Sequence, residues 1–287
     1  MRLNDRTAIV TGASMGIGAA TAVSLAKKGV TVWAVARNAE RLEKLAAEHS
    51  RIKTVVADVT LDEDRARLIA ATGPVDILVN NAGLGTFGMV EHMGQADVRH
   101  LFEVNVLGLI DLTQRVLPEM LERSSGHICN IGSSISYISG PPLTVYGATK
   151  FAVHGFSDGL RREVWHRGVG VSLIQPGPVS TGFWDRAISG DRLEVPDKSG
   201  AGVPAQWVAN AIVKAIRYDN IPGYATVAVP RPLGLGRLLD LPLISYGFDL
   251  LSTRRVPSTG GATSVDSGEN DADVILLRPD DTSDKPK

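Results

Sequence analysis

Short apolar runs alternate with helical patterns through the first 230 residues of the chain. Such alternation is typical of an α/β fold, in which helices cover both faces of a parallel sheet. The predicted strands are residues 7–10, 31–35, 53–57, 76–79, 127–131, 170–175 and 225–229. The predicted helices are residues 17–28, 39–49, 62–72, 95–122, 145–168 and 204–218.

The first predicted strand runs into a glycine-rich turn, residues 11–18 (TGASMGIG), and then into the first predicted helix. This order of strand, turn and helix is the context that a dinucleotide site requires, although a glycine cluster alone can mark an ordinary turn. Gly12 permits the tight turn, Gly16 lets the backbone approach a pyrophosphate, and Gly18 lets the helix pack closely on the strand. The start of the helix offers unpaired N–H groups to phosphates.

The end of the second predicted strand indicates which dinucleotide binds. In an NAD site an acidic residue here binds the ribose 2′-hydroxyl, but Ala36 supplies no carboxylate. Arg37 follows and can pair with the 2′-phosphate of NADP, or it can be an ordinary surface arginine. A basic residue in place of Met15 would have strengthened the first interpretation. We predict that NADP(H) is preferred and that NAD(H) is also possible.

Tyr146 and Lys150 are four residues apart on a predicted helix and therefore share one face. A phenol with its ordinary pKa of about 10 is a poor acid or base at neutral pH. A nearby ammonium group favours the phenolate and lowers that pKa. The pair therefore suits acid/base chemistry, although the same spacing is common on solvated helix faces.

These motifs resemble those of the classical short-chain dehydrogenase/reductase family, from about Asp5 to Pro230. The resemblance is also carried by Asp58, by NNAG at 80–83, by Asn105, by NIGSS at 130–134 and by PGPVST at 176–181. All of them occur in the order and at the spacing of the family. The resemblance implies a Rossmann-type, doubly wound sheet of about seven parallel strands in the order 3-2-1-4-5-6-7.

The resemblance also implies catalytic roles. Ser133 would hydrogen-bond the substrate oxygen, and its spacing to Tyr146 favours it over the adjacent Ser134. Tyr146 would be the general acid in reduction and the base in oxidation. Lys150 would lower the pKa of Tyr146 and hold the nicotinamide ribose. Asn105 would hold a water molecule that links Lys150 to solvent.

Cofactor contacts are implied along the whole match. Asp58 and Val59 would lie by the adenine, and Pro176, Gly177 and Thr181 near the nicotinamide. The predicted cofactor-binding residues are Gly12, Ser14, Met15, Gly16, Ile17, Gly18, Arg37, Asp58, Val59, Asn81, Ala82, Gly83, Tyr146, Lys150, Pro176, Gly177, Val179 and Thr181. Taken singly, many of these residues could be ordinary turn or cap residues. The joint match favours the functional interpretation.

Residues 182–203 fall where the family has its substrate loop. Phe183 and Trp184 are predicted to contact the substrate together with Ser133 and Tyr146, which favours an apolar carbonyl compound or secondary alcohol. The alternative for Trp184 is that it only anchors the loop to the body of the protein.

Residues 1–256 are predicted to form a single domain that includes an apolar extension, 231–256. The extension interleaves leucine, arginine and proline, and cover for the core is favoured over contact with a membrane surface. Residues 257–287 are polar and are predicted to be a disordered tail.

The formal net charge of −1 gives no attraction to a polyanion, so no nucleic-acid partner is predicted. The one cysteine, Cys129, fits a cytoplasmic location, and the six histidines lack the spacing of metal ligands, so no metal is predicted. The family resemblance implies a homodimer formed through helices 95–122 and 145–168.

Two other functions stay open at this point. The chain could be a non-catalytic protein that senses a dinucleotide, or a reductase that takes lipid-like substrates from a membrane surface. Non-catalytic relatives tend to lose one of the serine, tyrosine and lysine positions. The presence of Asn105, Ser133, Tyr146 and Lys150 therefore favours an enzyme.

Overall fold

The computed structural model describes residues 1–189, 202–218 and 226–230 of the 287-residue chain. Seven parallel strands form its main sheet. They are β1 (Thr7–Thr11), β2 (Thr31–Ala36), β3 (Ile52–Val56), β4 (Ile77–Asn80), β5 (Gly126–Ile131), β6 (Val169–Pro176) and β7 (Thr226–Val229). Their order across the sheet, β3-β2-β1-β4-β5-β6-β7, confirms the predicted fold class and strand order.

Helices lie close to their predicted positions. They are α1 (Gly16–Ala26), α2 (Ala39–Ala47), α3 (Asp62–Thr72), α4 (Gln95–Phe102), α5 (Gly108–Glu122), α6 (Thr144–Val164) and α7 (Ala205–Arg217). Short 3₁₀ turns cover Val90–His92, Ser134–Ser136, Trp165–Arg167 and Trp184–Arg186. Among the described residues, no helix is both long enough and apolar enough to span a membrane.

The stretch predicted as one helix over 95–122 is divided, which corrects the prediction. A π-helical turn, Glu103–Leu107, separates α4 from α5. Asn105 lies in this turn, and its buried side chain bonds to Leu84 and Thr149 on neighbouring segments. These bonds fix the wider turn in place, and such turns often lie at functional sites.

The sheet is buried on both faces. Alternation along β1 sends Ala8 and Val10 to the face covered by α1, α2 and α7, and Ile9 to the face covered by α3, α5 and α6. Burial on both sides explains why the strands appear as continuous apolar runs in the sequence. Because the strands are parallel, their carboxyl ends meet at one edge, where the loops that carry the candidate site begin.

Two short strand pairs lie outside the main sheet. Thr86–Phe87 pairs with Ile188–Ser189, and Val179–Ser180 pairs with Val203–Pro204. Two-residue strands show no periodicity in a sequence, so neither pair could be predicted. The first pair holds the segment that follows β6 against the loop that follows β4, and the second holds it against the residues that precede α7.

Several predictions concern residues outside the described ranges. These are most of the substrate loop 182–203, the extension 231–256 and the tail 257–287. The prediction of one domain over residues 1–256 therefore stays a prediction.

Candidate active site

The turn after β1 brings backbone atoms close together. Gly12 has φ 64° and Gly16 has φ 57°, conformations that glycine adopts readily and other residues rarely. A Cβ atom on Gly16 would lie 2.8 Å from Cβ of Thr181, and one on Gly18 would collide with the Gly12 carbonyl oxygen. Glycine is therefore required at these positions to pack α1 on β1 and to admit the segment after β6.

Helix α1 begins without a side-chain cap within the described structure, because Met15 precedes it in an extended conformation and forms no capping hydrogen bond. The first N–H groups of a helix have no partner inside the helix. Here they face a cavity of about 530 Å³, a size typical of small-molecule sites. An uncapped helix start beside a cavity suits the binding of a phosphate.

This cavity collects most of the predicted cofactor residues. It is lined by Gly12, Ser14, Met15, Gly16, Ile17, Arg37, Asp58, Val59, Asn81, Ala82, Gly83 and Thr181. Within the described ranges, the predicted residues that do not line it are Gly18, Tyr146, Lys150, Pro176, Gly177 and Val179. Further wall residues are Val35, Ala36, Asn38, Arg41, Ala57, Leu84, His100, Val104, Phe183 and Arg186.

Thr11, the last residue of β1, fixes the loop after β4 beside the glycine-rich turn. Its hydroxyl oxygen accepts hydrogen bonds from the N–H groups of Asn81 (3.0 Å) and Ala82 (2.9 Å). In return, the Asn81 amide Nδ2 donates to the carbonyl oxygens of Thr11 (2.9 Å) and Gly12 (3.2 Å). Sequence reasoning gave Thr11 no role of its own, although its place at the end of the strand beside β4 was the available signal.

Two arginines stand where β2 ends and α2 begins. Nη1 of Arg37 lies 3.4 Å from Oδ2 of Asp58, and the Arg37 side chain is 65% exposed, so the ion pair is weak. Burial would raise the pKa of Asp58, but hydrogen bonds from Thr60 and the charge of Arg37 lower it overall. Arg41, which the sequence analysis missed, places Nη1 3.2 Å from Sδ of Met15. Its position four residues after Arg37 was the only signal.

Tyr146 and Lys150 lie in the first two turns of α6, and each is only 6% exposed. Nζ of Lys150 donates a hydrogen bond to the Ile131 carbonyl oxygen (3.1 Å) and lies 5.7 Å from the centroid of the Tyr146 ring. The Tyr146 and Ser133 side chains are hydrogen-bonded to each other. The structure thus brings the predicted serine, tyrosine and lysine together beyond the end of β5.

Burial controls the ionisation of this group. It raises the pKa of Tyr146, and the hydrogen bond with Ser133 opposes that rise only in part. The predicted net lowering of the Tyr146 pKa is therefore wrong for this arrangement, because burial of the phenol outweighs the opposing effects. Burial also lowers the pKa of Lys150, to about 8. A phenol with a raised pKa stays protonated at neutral pH, as a proton donor must.

Asn105 anchors the loop after β4 beside Lys150. Its Oδ1 accepts a hydrogen bond from Leu84 N (2.7 Å), and its Nδ2 donates to Leu84 O (2.9 Å) and to Thr149 Oγ1 (3.0 Å). A Cβ atom on Gly83 would lie 3.5 Å from Oδ1 of Asn105 and 3.8 Å from Nζ of Lys150. Asn105 thus lies near Lys150, and its role in holding a water molecule stays a prediction.

Phe183 and Trp184 cover Tyr146. Their ring centroids lie 6.1 Å and 5.5 Å from that of Tyr146, and 5.2 Å from each other. Gly85 lies beneath both rings, since a Cβ atom there would be 2.9 Å from each. The two aromatic residues therefore pack against Tyr146, and their contact with substrate stays a prediction.

Comparison with known proteins identifies the family of the chain. A family model described as short chain dehydrogenase matches residues 6–191, and the chain belongs to that family. It is therefore an oxidoreductase enzyme, from a family that binds NAD(H) or NADP(H) and acts on small molecules.

Individual relatives extend the likeness along the chain. An uncharacterized oxidoreductase of Staphylococcus epidermidis is 34% identical over 220 residues, which are 75% of this chain and 92% of that protein. The crystal structure of a short-chain dehydrogenase from Streptomyces avermitilis has a TM-score of 0.75 at 30% identity, and covers 88% of this chain and 98% of its own. A short-chain dehydrogenase from Sphingobium yanoikuyae, in complex with NADPH, has a TM-score of 0.70 at 26% identity, and covers 90% and 99%.

Proposed function

We propose that this protein is an NADP(H)-dependent oxidoreductase that interconverts a carbonyl group and a secondary alcohol on an apolar small molecule. The observation that carries the proposal is the group of Ser133, Tyr146 and Lys150, which lies at the same edge of the sheet as the glycine-lined cavity. An acid/base group beside a dinucleotide cavity is the arrangement that this reaction needs.

The cavity fits a dinucleotide. The glycines with positive φ and the uncapped start of α1 suit a pyrophosphate, and a side chain at Gly16 would close the gap to Thr181. Asp58 and Val59 would lie by the adenine, and Lys150 would hold the nicotinamide ribose. A bound nicotinamide would supply a hydride in reduction and accept one in oxidation.

The protein's own part is to move the proton. In reduction, the Tyr146 hydroxyl donates its proton to the carbonyl oxygen, while the Ser133 hydroxyl stabilises the negative charge that develops on that oxygen. In oxidation, Tyr146 takes the proton back. The buried position of Tyr146 favours the protonated phenol, so the resting enzyme is ready for reduction.

The preference for NADP(H) is supported by charge at the end of β2. Ala36 offers no carboxylate to a ribose hydroxyl, whereas Arg37 and Arg41 bring two guanidinium groups to the cavity wall. The Sphingobium relative was crystallised with NADPH. Changing Arg37→Asp should shift binding from NADPH toward NADH, measured as the ratio of the two dissociation constants. An unchanged ratio would show that Arg37 does not contact the 2′-phosphate.

An apolar substrate is supported by the rings around Tyr146. Phe183 and Trp184 pack against it, and Leu84 lines the adjoining cavity. Aromatic and aliphatic side chains around a few polar groups are typical of sites for apolar ligands.

The catalytic claim is tested with the full chain, NADPH and a panel of apolar ketones. Changing Tyr146→Phe should lower turnover by about 10²–10⁴-fold, the usual contribution of a general acid, and leave NADPH affinity nearly unchanged. Tyr218→Phe, at the end of α7, removes a phenol away from the site and should behave as wild type. Normal turnover by the Tyr146 variant would remove this residue from the mechanism.

We also propose that the protein works as a cytoplasmic homodimer. Leu107, between α4 and α5, and Phe151, on α6, are 48% and 40% exposed, which supports an interface along these helices. The single, buried Cys129 is suited to a reducing compartment. Light scattering on the purified protein should give twice the chain mass, and a monomer at micromolar concentration would contradict the dimer.

A further inference from the structure

Arg186 belongs to a turn that lies between the proposed cofactor cavity and Tyr146. It closes the 3₁₀ turn Trp184–Arg186, and its side chain lines the same cavity as Arg37 and Arg41. At the other end of this turn, the Trp184 ring lies 5.5 Å from that of Tyr146. One short turn thus carries both Arg186, which lines the cavity together with Arg37 and Arg41, and Trp184, which packs on Tyr146.

The path of the chain explains how Arg186 comes close to Arg37 and Arg41. Thr181 packs on Gly16, and a Cβ atom on Gly182 would lie 3.3 Å from Cε of Met15. Met15 in turn contacts Arg41 through its sulfur atom. The segment after β6 therefore runs along the glycine-rich turn toward the start of α2.

The charges at this wall repel one another. Burial lowers the pKa of Arg186, and the neighbouring charges of Arg41 and Arg37 lower it further. Asp185 acts in the opposite direction, but it does not reverse the shift. Several guanidinium groups around one cavity wall favour a bound phosphate, because an anion placed between them relieves their repulsion.

We propose that Arg186 is a third arginine for the 2′-phosphate of NADP(H), and that its turn couples occupation of that phosphate site to the aromatic cover over Tyr146. The inference rests on the proposed NADP(H) dependence. Met15 places no positive charge in the glycine-rich turn, whereas Arg186 brings one to the cavity from the segment after β6. When a 2′-phosphate draws Arg186 inward, Trp184 shifts relative to Tyr146 because both residues belong to one three-residue turn.

Binding measurements test the first half of the proposal. The full chain and its Arg186→Ala variant are titrated calorimetrically with NADPH, with NADH and with 2′,5′-ADP, which has the phosphate but no nicotinamide. The variant should bind NADPH and 2′,5′-ADP about tenfold more weakly, the usual effect of losing one charged hydrogen bond, and NADH as before. Arg167→Ala is the matched control, since Arg167 is exposed and precedes the amino end of β6.

Tryptophan fluorescence tests the coupling. Addition of 2′,5′-ADP should change the quenching of Trp184 by acrylamide in the wild type, whereas 5′-ADP should not. The Trp184→Phe variant identifies that signal among the four tryptophans of the chain. In Arg186→Ala, saturation with 2′,5′-ADP should leave the quenching of Trp184 unchanged.

The outcomes separate this inference from the function on which it rests. Equal weakening of NADPH and NADH by Arg186→Ala, or no weakening of either, would overturn the role at the 2′-phosphate. A Trp184 response to 2′,5′-ADP that persists in the variant would overturn the coupling. If the wild type binds NADPH no more tightly than NADH, the proposed cofactor preference fails instead, before the variant is considered.

Discussion

The two sides of the candidate site are built in different ways. The cofactor side consists of backbone groups at the end of β1 and the start of α1, with glycines at the contacts where a Cβ atom would collide. The substrate side consists of side chains from segments far apart in the sequence, such as Tyr146 on α6 and Trp184 after β6. Backbone sterics therefore determine the first side, and tertiary packing determines the second.

On the substrate side, after Tyr146 itself, Ser133 should matter most, and its neighbour Ser134 should not matter. Changing Ser133→Ala removes the hydroxyl that is bonded to Tyr146 and should lower turnover by about 10²–10³-fold, with little change in NADPH affinity. Ser134→Ala is the matched control and should keep nearly full turnover. Equal losses in both variants would show that the effect comes from the local backbone and not from one hydroxyl.

On the cofactor side, a single methyl group should be enough to damage the site. Changing Gly18→Ala places a Cβ atom against the Gly12 carbonyl oxygen and 2.6 Å from Nδ2 of Asn81. Overpacking of this kind costs about 1–3 kcal/mol, so NADPH should bind roughly ten- to a hundredfold more weakly, as measured by titration.

The control for this change is Gly155→Ala on α6. Within the described structure, a Cβ atom on Gly155 would have nothing within 4 Å. This variant should bind NADPH normally, because Gly155 does not line the cavity. Normal NADPH binding by Gly18→Ala would show that close packing at Gly18 is not needed for the cofactor site.

A smaller effect is expected for Lys150, which we propose to contact the cofactor and to act with Tyr146 and Ser133. Burial lowers its pKa to about 8, so its ammonium form is lost as the pH rises through that value. Between about pH 7 and pH 9 the charged fraction falls roughly tenfold, and NADPH affinity should fall with it. Titrations across this range measure the effect, and Lys150→Arg, which keeps its charge, should show a flatter profile. A wild-type affinity independent of pH would contradict the predicted contact.

The same contrast explains what the sequence could predict. The strands, their order and most of the cavity wall followed from local patterns and from the resemblance, because glycines and apolar runs act over a few residues. The π-helical turn at Asn105 was missed, since it depends on bonds to Leu84 and Thr149. The helical pattern alone continues unbroken through residues 95–122.

Contacts between residues far apart in the sequence explain the wrong prediction for the Tyr146 pKa and the omission of Arg186. The pKa of Tyr146 was expected to fall because of Lys150, but burial under Phe183 and Trp184 raises it. Arg186 was missed because its approach to Arg41 follows from the path of the chain after β6. No spacing rule links positions so far apart in the sequence.

The central claim is that this enzyme binds a dinucleotide in the glycine-lined cavity and selects NADP(H) there. Titration of the purified wild-type protein with NADPH and with NADH, followed by nicotinamide fluorescence, tests it most directly. We expect NADPH to bind at least tenfold more tightly than NADH, because a charged hydrogen bond to the 2′-phosphate is worth about 1.5–3 kcal/mol. Tighter binding of NADH would contradict the selection by arginine, and binding of neither would contradict the cofactor site itself.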